Sequence, residues 1–148
     1  MRNLKFLCAL VILCFSGWGA RGQEKVAQYA VGNYGKEGYE ELSFWAKDGK
    51  RGVINYSYGK ENRELTLHYL RRDTLNGEAC FVVQFPNGYT LLVKPVGLTL
   101  QVTDAAGKYN KTFSWEYEGP VNGIGTFCRV CAADDREAMN IIKASYLK

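Results

Sequence analysis

Three cysteines carry most of the reactive chemistry that this sequence could offer. They are Cys80, Cys128 and Cys131, because Cys8 and Cys14 fall in an N-terminal segment that is expected to be removed. In an oxidising compartment, three cysteines predict one disulfide and one free thiol. Residues three apart on a strand point to opposite faces, which disfavours a bond between Cys128 and Cys131. We therefore predict a disulfide that joins Cys80 to either Cys128 or Cys131.

Two other roles are open to these cysteines. Cys128 and Cys131 precede a predicted helix, whose N-terminus lowers the pKa of a nearby thiol, so they could act as a redox pair. With His68, the three cysteines reach the ligand count of a Cys₃His zinc site, although only the Cys-x-x-Cys spacing is typical of metal binding. His68 is the sole histidine, and no nucleophile accompanies it nearby in the sequence. We expect no catalytic residue, no metal and no cofactor.

Aromatic side chains, at 14% of the chain, are the most suggestive feature of the composition. Five of them alternate with polar neighbours, so their rings are expected to lie on common strand faces. If these strand faces point inward, the rings belong to the core, which is the favoured interpretation for aromatic residues in strands. If the faces point outward or into the mouth of a barrel, the rings form a stacking surface for a sugar, a peptide or an apolar ligand. These ligand-binding candidates are Trp45, Tyr56, Tyr58, Trp115 and Tyr117. Trp45 is the strongest single candidate, because it lies opposite the apolar face of its predicted strand.

The segment 119–126 is rich in glycine, which lets backbone amides approach an anion. It lacks the Lys-Ser/Thr that ends a phosphate-binding P-loop, and no predicted helix begins there. The favoured interpretation is a hairpin connection that turns at Asn122-Gly123. A binding loop formed by Asn122, Gly123 and Gly125 is the alternative.

The first 22 residues have the organisation of a cleaved signal peptide. Arg2 and Lys5 precede ten unbroken apolar residues, and small residues follow up to a predicted cleavage before Gln23. Ten apolar residues are about half of the ~20 that span a bilayer. We predict an exported protein, periplasmic or secreted, with residues 23–148 as a single domain and no stable membrane anchor.

Charge argues against two classes of partner. The whole chain carries a formal charge of +4, but removal of the leader takes three basic residues with it and leaves 16 basic against 15 acidic side chains. The remaining basic residues are scattered. Neither nucleic acid nor an anionic membrane is therefore indicated, and the expected partner is a protein or a small-molecule ligand.

The residues between 42 and 131 alternate apolar and polar types, with turn residues every 8 to 12 positions. This predicts an antiparallel meander of about 7–8 strands, closed as a barrel or packed as a sandwich. Residues 23–41 suit either a first strand or a short helix. From residue 134 the apolar period becomes helical behind a capping box, which predicts a C-terminal helix over 134–147. An up-and-down barrel ending in a helix is similar to lipocalin-like proteins, but their Gly-x-Trp signature is absent from residues 23–148, so no family is assigned.

Two functional classes follow. The favoured one is an exported, soluble, non-enzymatic binding module that presents loops or an aromatic face to a protein or a small ligand. The alternative is a thiol-redox or metal-dependent enzyme that uses Cys128 and Cys131.

Overall fold

The computed structural model describes residues 22–116 and 130–148, and it is mainly β-sheet. Eight antiparallel strands close into a barrel in their sequence order, and one helix follows. The elements are β1 (Glu24–Val31), β2 (Glu40–Lys47), β3 (Lys50–Tyr58), β4 (Arg63–Leu75), β5 (Glu78–Gln84), β6 (Thr90–Val96), β7 (Thr99–Thr103), β8 (Asn110–Trp115) and α1 (Asp135–Tyr146). The predicted meander with a C-terminal helix is confirmed, and the barrel rather than the sandwich is formed.

Two-residue turns join several of the strands. Asp48 and Gly49 connect β2 to β3, and Asn76 and Gly77 connect β4 to β5. All four have positive φ, between 52° and 79°. This is the type I′ geometry whose twist matches that of paired strands, and Asn-Gly and Asp-Gly are the sequences that adopt it most readily. The pattern of turns in the sequence therefore sets the pairing register of both hairpins.

The barrel closes through a short contact between its first and last strands. Only Tyr29 with Trp115 and Ala30 with Ser114 pair directly between β1 and β8. Next to these pairs the Glu116 amide donates to the Gln28 carbonyl at 2.9 Å. Residues 130–132 meet the earlier part of that edge of β1: the Val26 amide donates to the Val130 carbonyl at 2.7 Å, and the Ala132 amide donates to the Val26 carbonyl at 2.8 Å. The chain that leads into α1 thus completes the barrel wall.

The interior of the barrel is packed with apolar and aromatic side chains from all eight strands. An eight-stranded barrel has an interior just wide enough for side chains to fill. The fully buried members of this core include Tyr29, Phe44, Ile54, Leu67, Phe81, Leu91, Leu100 and Phe113. Ala138, Met139, Ile142 and Tyr146 of α1 belong to the same cluster. The helix therefore closes one end of the barrel, the end that carries the turn between β2 and β3.

The helix begins as the capping box predicts. The Asp134 carboxylate accepts a hydrogen bond from the Glu137 amide at 2.7 Å, and the Glu137 carboxylate accepts one from the Ala133 amide at 2.6 Å. Glu137 also pairs with Lys25 of β1 at 3.1 Å. These contacts fix the start of α1 and tie it to the first strand.

Of the two interpretations of residues 23–41, the strand is correct and the short helix is wrong. Tyr29 and Val31 lie in β1, and Trp45 lies in β2. Of residues 126–131, the last segment of the region predicted to form the meander, only Val130 and Cys131 are described: Val130 is in a bend and Cys131 forms a single parallel bridge with Val26. Residues 1–21 of the predicted signal peptide lie outside the described residues. Within residues 22–116 and 130–148, no helix has both the length and the apolar character needed to cross a membrane.

Candidate functional site

The end of the barrel opposite α1 is the candidate site, and we call it the mouth. It is surrounded by the loops between β1 and β2, β3 and β4, β5 and β6, and β7 and β8. The side chains that alternate into the core along these strands continue past it to the mouth, where they are only partly buried. At this end tyrosine hydroxyls and the charged groups of Glu40 and Lys111 accompany the apolar side chains.

Four aromatic rings form a continuous row along one side of the mouth. Tyr58 stacks on Tyr56, with centroids 5.5 Å apart and planes 18° apart. Tyr56 meets Phe85 edge-on at 5.1 Å, and Phe85 meets Tyr89 at 5.8 Å. We call Tyr58, Tyr56, Phe85 and Tyr89 the aromatic row. Its inner rings, Tyr56 and Phe85, pack against the barrel core, so the row extends the core towards solvent.

A carboxylate that faces the interior stands beside this row. Glu40 lies on the same face of β2 as Leu42 and Phe44, and its side chain is only 12% exposed. It accepts hydrogen bonds from the Tyr109 hydroxyl and from the ammonium of Lys111, both of which approach from β8 and the loop before it. The positive charge of Lys111 compensates a carboxylate that would be costly to bury alone. We call Glu40, Tyr109 and Lys111 the Glu40 cluster.

Burial and the Glu40 carboxylate keep two phenols of the mouth protonated. Burial, followed by the hydrogen bond to Glu40 and the negative charge of Glu40, raises the pKa of Tyr109 far above its usual value. Burial and the same carboxylate raise the pKa of Tyr56. Both phenols therefore remain neutral at physiological pH, as hydroxyl groups held next to a compensated charge.

A second carboxylate fixes the rim of the mouth. Asp104 accepts a hydrogen bond from the Tyr89 hydroxyl at 3.0 Å and another from the Lys108 amide at 2.8 Å. The outermost ring of the aromatic row is thereby attached to the loop between β7 and β8. Tyr89 nevertheless remains 42% exposed, so its ring is accessible to a ligand.

The predicted aromatic surface is divided among three places. Tyr56 and Tyr58 come together at the mouth, as neighbours on the inward face of β3. Trp45 lies on the outer wall of β2, half-buried, where its Cβ and backbone pack against Gly52. Trp115 packs against the core opposite Tyr29. The five predicted residues therefore do not form one surface; the fifth, Tyr117, lies outside the described residues, as do Asn122, Gly123 and Gly125 of the predicted binding loop.

Several residues of the mouth were missed by the sequence-based prediction. They are Glu40, Phe85, Tyr89, Tyr109 and Lys111. The alternation of each strand contained the signal for most of them, because Glu40 is two residues before the inward Leu42 and Lys111 is two residues before the inward Phe113. Alternation within each strand could not predict that the closed barrel brings residues of β2 and β8 together across the end of β1.

The predicted disulfide to Cys80 is wrong. Cys80 is a free, buried thiol on β5. Cys131 lies beside Val26 of β1, and β1 and β5 are on opposite sides of an eight-stranded barrel. Burial raises the pKa of the Cys80 thiol, which makes it a poor nucleophile.

The same separation excludes the Cys₃His zinc arrangement, because Cys80 and Cys131 cannot share one ion. His68 is exposed on β4 opposite Gln84. Within residues 22–116 and 130–148, no group of three His, Cys, Asp or Glu side chains is arranged to hold a metal. Cys128 lies outside the described residues, so the Cys128–Cys131 redox pair stays a prediction.

Two open depressions lie elsewhere on the described surface. One, of about 250 Å³, runs between α1 and the β1–β2 side of the barrel and includes Ala46, Asn140 and Ala144. The other, of about 330 Å³, lies at the contact of β1 with β8 and includes Gly32 and Glu116. The first has no aromatic ring, and the second has a single ring, Trp115, beside the Glu116 carboxylate. The mouth brings several rings together with fixed polar groups, so we regard it as the best candidate for a ligand site.

Comparison of the chain with protein-family models, with curated proteins and with solved structures found no match.

Proposed function

We propose that this protein is an exported, non-enzymatic binding module that holds its ligand at the mouth of the barrel. The observation that carries the proposal is the aromatic row beside the compensated carboxylate of Glu40. Ligand sites usually combine aromatic surface with a few fixed polar groups, and both occur together here. Because α1 covers the opposite end of the barrel, the mouth is the end that a ligand can reach.

The site is well prepared for binding, because its side chains are already held in place. Tyr58 leans on Tyr56, the Tyr109 hydroxyl is engaged by Glu40, and the Tyr89 hydroxyl is engaged by Asp104. Binding therefore costs little additional side-chain entropy, which is the main advantage of a rigid tyrosine-rich surface. The polar groups interact with one another, an arrangement that supports recognition rather than proton transfer to a substrate.

Binding at the mouth can be tested by amide NMR on the ¹⁵N-labelled protein. The panel would contain neutral oligosaccharides, acidic oligosaccharides, fatty acids and short peptides, each followed by mass spectrometry of the recovered compound. We expect at least one class to shift the amides of the four mouth loops and to be recovered unchanged. Shifts confined to the depression beside α1, the absence of any binder, or chemical conversion of the compound would contradict the proposal.

Export and the disulfide belong to the same proposal. With Cys80 buried and free, Cys128 and Cys131 are the remaining cysteines of residues 23–148, and we propose that they pair on export. Cys131 follows a bend and makes one bridge, so the strand alternation that disfavoured this bond does not apply to it. We assign the proposed bond a structural role.

Intact mass of the protein recovered from its exporting host tests this part. We expect the mass of residues 23–148 with one disulfide, and a single thiol that alkylates only after denaturation. An uncleaved leader would contradict export. Three thiols that alkylate in the folded protein, a bound metal, or a Cys128–Cys131 bond that is reduced under mild conditions would favour the enzymatic alternative.

A further inference from the structure

We propose that the ligand of the mouth is a neutral oligosaccharide, which stacks its sugar rings on the two outer members of the aromatic row, Tyr58 and Tyr89. This inference rests on the proposed function above and specifies its ligand. It is carried by three properties of the mouth: its shape, its charge balance and the closure of the sheet.

The first property is that the mouth is a platform rather than a cavity. The barrel beneath it is filled, with Phe44, Phe81 and Tyr146 in mutual ring contact at centroid distances between 5.4 and 5.7 Å. A fatty acid or another long apolar ligand requires an enclosed space that removes it from water, and this packed interior does not supply one. A ligand of the mouth must lie across exposed ring faces. A pyranose does so, because it has an apolar C–H face on one side and hydroxyl groups around its edge.

The second property is the balance of charge. The four mouth loops carry three basic and three acidic side chains: Lys36, Lys60 and Lys108 against Glu37, Glu61 and Asp104. The interior carboxylate of Glu40 is already paired with Lys111. An organic cation would need an uncompensated carboxylate among the rings, and a strongly anionic ligand would need a basic surface. Asp104 is held by neutral donors at the rim, but the loop charges balance and the interior carboxylate is paired, so the mouth as a whole favours a ligand without net charge.

The third property is the closure of the sheet. Extended peptides are commonly bound by adding a strand to an exposed sheet edge. Here the strands that carry the aromatic row are paired on both sides at the mouth: β3 pairs with β2 and β4 up to Tyr58, and β5 pairs with β4 and β6 up to Gln84. These strands therefore offer no free edge for a peptide beside the rings. The mouth loops do carry the amide side chains of Asn33, Asn62 and Asn87, which can donate to and accept from sugar hydroxyls.

The test is a binding titration with a glycan array that contains neutral hexasaccharides, such as those of glucose, xylose and mannose, together with acidic glycans. The best neutral binder is then titrated calorimetrically against the full protein and its variants. Tyr58→Leu and Tyr89→Leu remove a ring face, whereas Tyr58→Phe keeps it. Leu98→Ala, which removes a 41% exposed apolar side chain from the turn between β6 and β7 at the opposite end of the barrel, serves as the control.

We expect saturable binding to a neutral glycan, a loss of about tenfold in affinity for each leucine variant, and a change within about twofold for Tyr58→Phe and Leu98→Ala. Thermal unfolding of each variant confirms that it is folded. Binding only to acidic glycans, binding to no glycan, or equal affinity of the leucine variants and the wild-type protein would overturn the inference. If fatty acids or peptides instead shift the mouth amides in the NMR panel, the proposed function stands and the carbohydrate assignment falls.

Discussion

Replacement of Tyr146 tests whether α1 is an integral part of the barrel core. Tyr146 is fully buried, and its ring lies 5.4 Å from both Phe44 and Phe81. Its hydroxyl donates to the Trp45 carbonyl at 2.5 Å. That carbonyl lies where the register between β2 and β3 shifts, between Phe44 and Ala46, so Tyr146 supplies a donor at an interruption of the ladder.

The two parts of the side chain have separable energies. Tyr146→Ala removes a buried aromatic ring, which costs about 3–5 kcal/mol through lost transfer energy and an unfilled cavity. Tyr146→Phe keeps the ring and leaves a buried carbonyl without that donor, which costs about 1–2 kcal/mol. Since domains of this size are stable by roughly 5–15 kcal/mol, both variants are expected to remain folded in the absence of denaturant.

Urea unfolding followed by circular dichroism measures both losses. We expect the transition midpoint to fall in the order wild type, Tyr146→Phe, Tyr146→Ala, with an unchanged denaturant slope. Asn140→Ala, at an exposed position of the same helix, is the control and is expected to change stability by less than about 0.5 kcal/mol. A loss below about 1 kcal/mol for Tyr146→Ala, or equal losses for the two Tyr146 variants, would refute the assignment of α1 to the core.

Three further outcomes are expected. Lys111→Met leaves the Glu40 carboxylate without its counter-charge and is expected to lower the free energy of unfolding by about 1–3 kcal/mol. Glu40→Gln in the double variant should restore much of this stability. Additive losses of stability in the double-mutant cycle would argue against the ion pair. Cys80 is expected to react with a maleimide only at the rate of global unfolding, and rapid labelling of the folded protein would contradict its burial. Five buried or half-buried tyrosines have raised pKa values, chiefly because of burial, so the unfolded chain loses protons above about pH 10 that the folded chain keeps. Stability is then intact below that pH and falls above it by up to about 1.4 kcal/mol per pH unit for each of these tyrosines. Their share of the phenolate absorbance at 295 nm should appear together with unfolding rather than before it. They are Tyr29, Tyr39, Tyr56, Tyr109 and Tyr146.

Much of the fold was predictable because it is specified locally. Alternation along each strand and the Asp-Gly and Asn-Gly turns are properties of short segments, as is the capping of α1 by Asp134 and Glu137. The choice of barrel over sandwich was not predictable in this way. It depends on the pairing of Tyr29 with Trp115, residues far apart in the chain that meet only after the accumulated twist of eight strands has closed the sheet.

The candidate site was predicted only in part, for the same reason. Tyr56 and Tyr58 share one strand face, so alternation was enough to group them. Trp45 is one residue from the inward Phe44, so it points to the outer wall, away from that group. Tyr109 and Lys111 reach Glu40 across the end of β1, a contact that no spacing in the sequence contains.

The disulfide prediction failed through topology rather than through cysteine chemistry. Counting thiols correctly indicated that one of them could be free. Choosing Cys80 as a bonded partner required β5 to lie near the segment before α1. In the closed barrel that segment lies along β1, four strands away from β5, and Cys80 is left as a buried thiol.

The packed core and the exposed mouth are linked by the same aromatic side chains. Phe85 and Tyr56 contact the core on one side and the outer rings of the aromatic row on the other. Because protein interiors are close-packed, a ring that is held by the core has few alternative positions. The core therefore holds the outer rings, Tyr58 and Tyr89, in fixed positions. The same packing leaves no room for a ligand inside the barrel, and it preorganises the mouth for the surface binding proposed above.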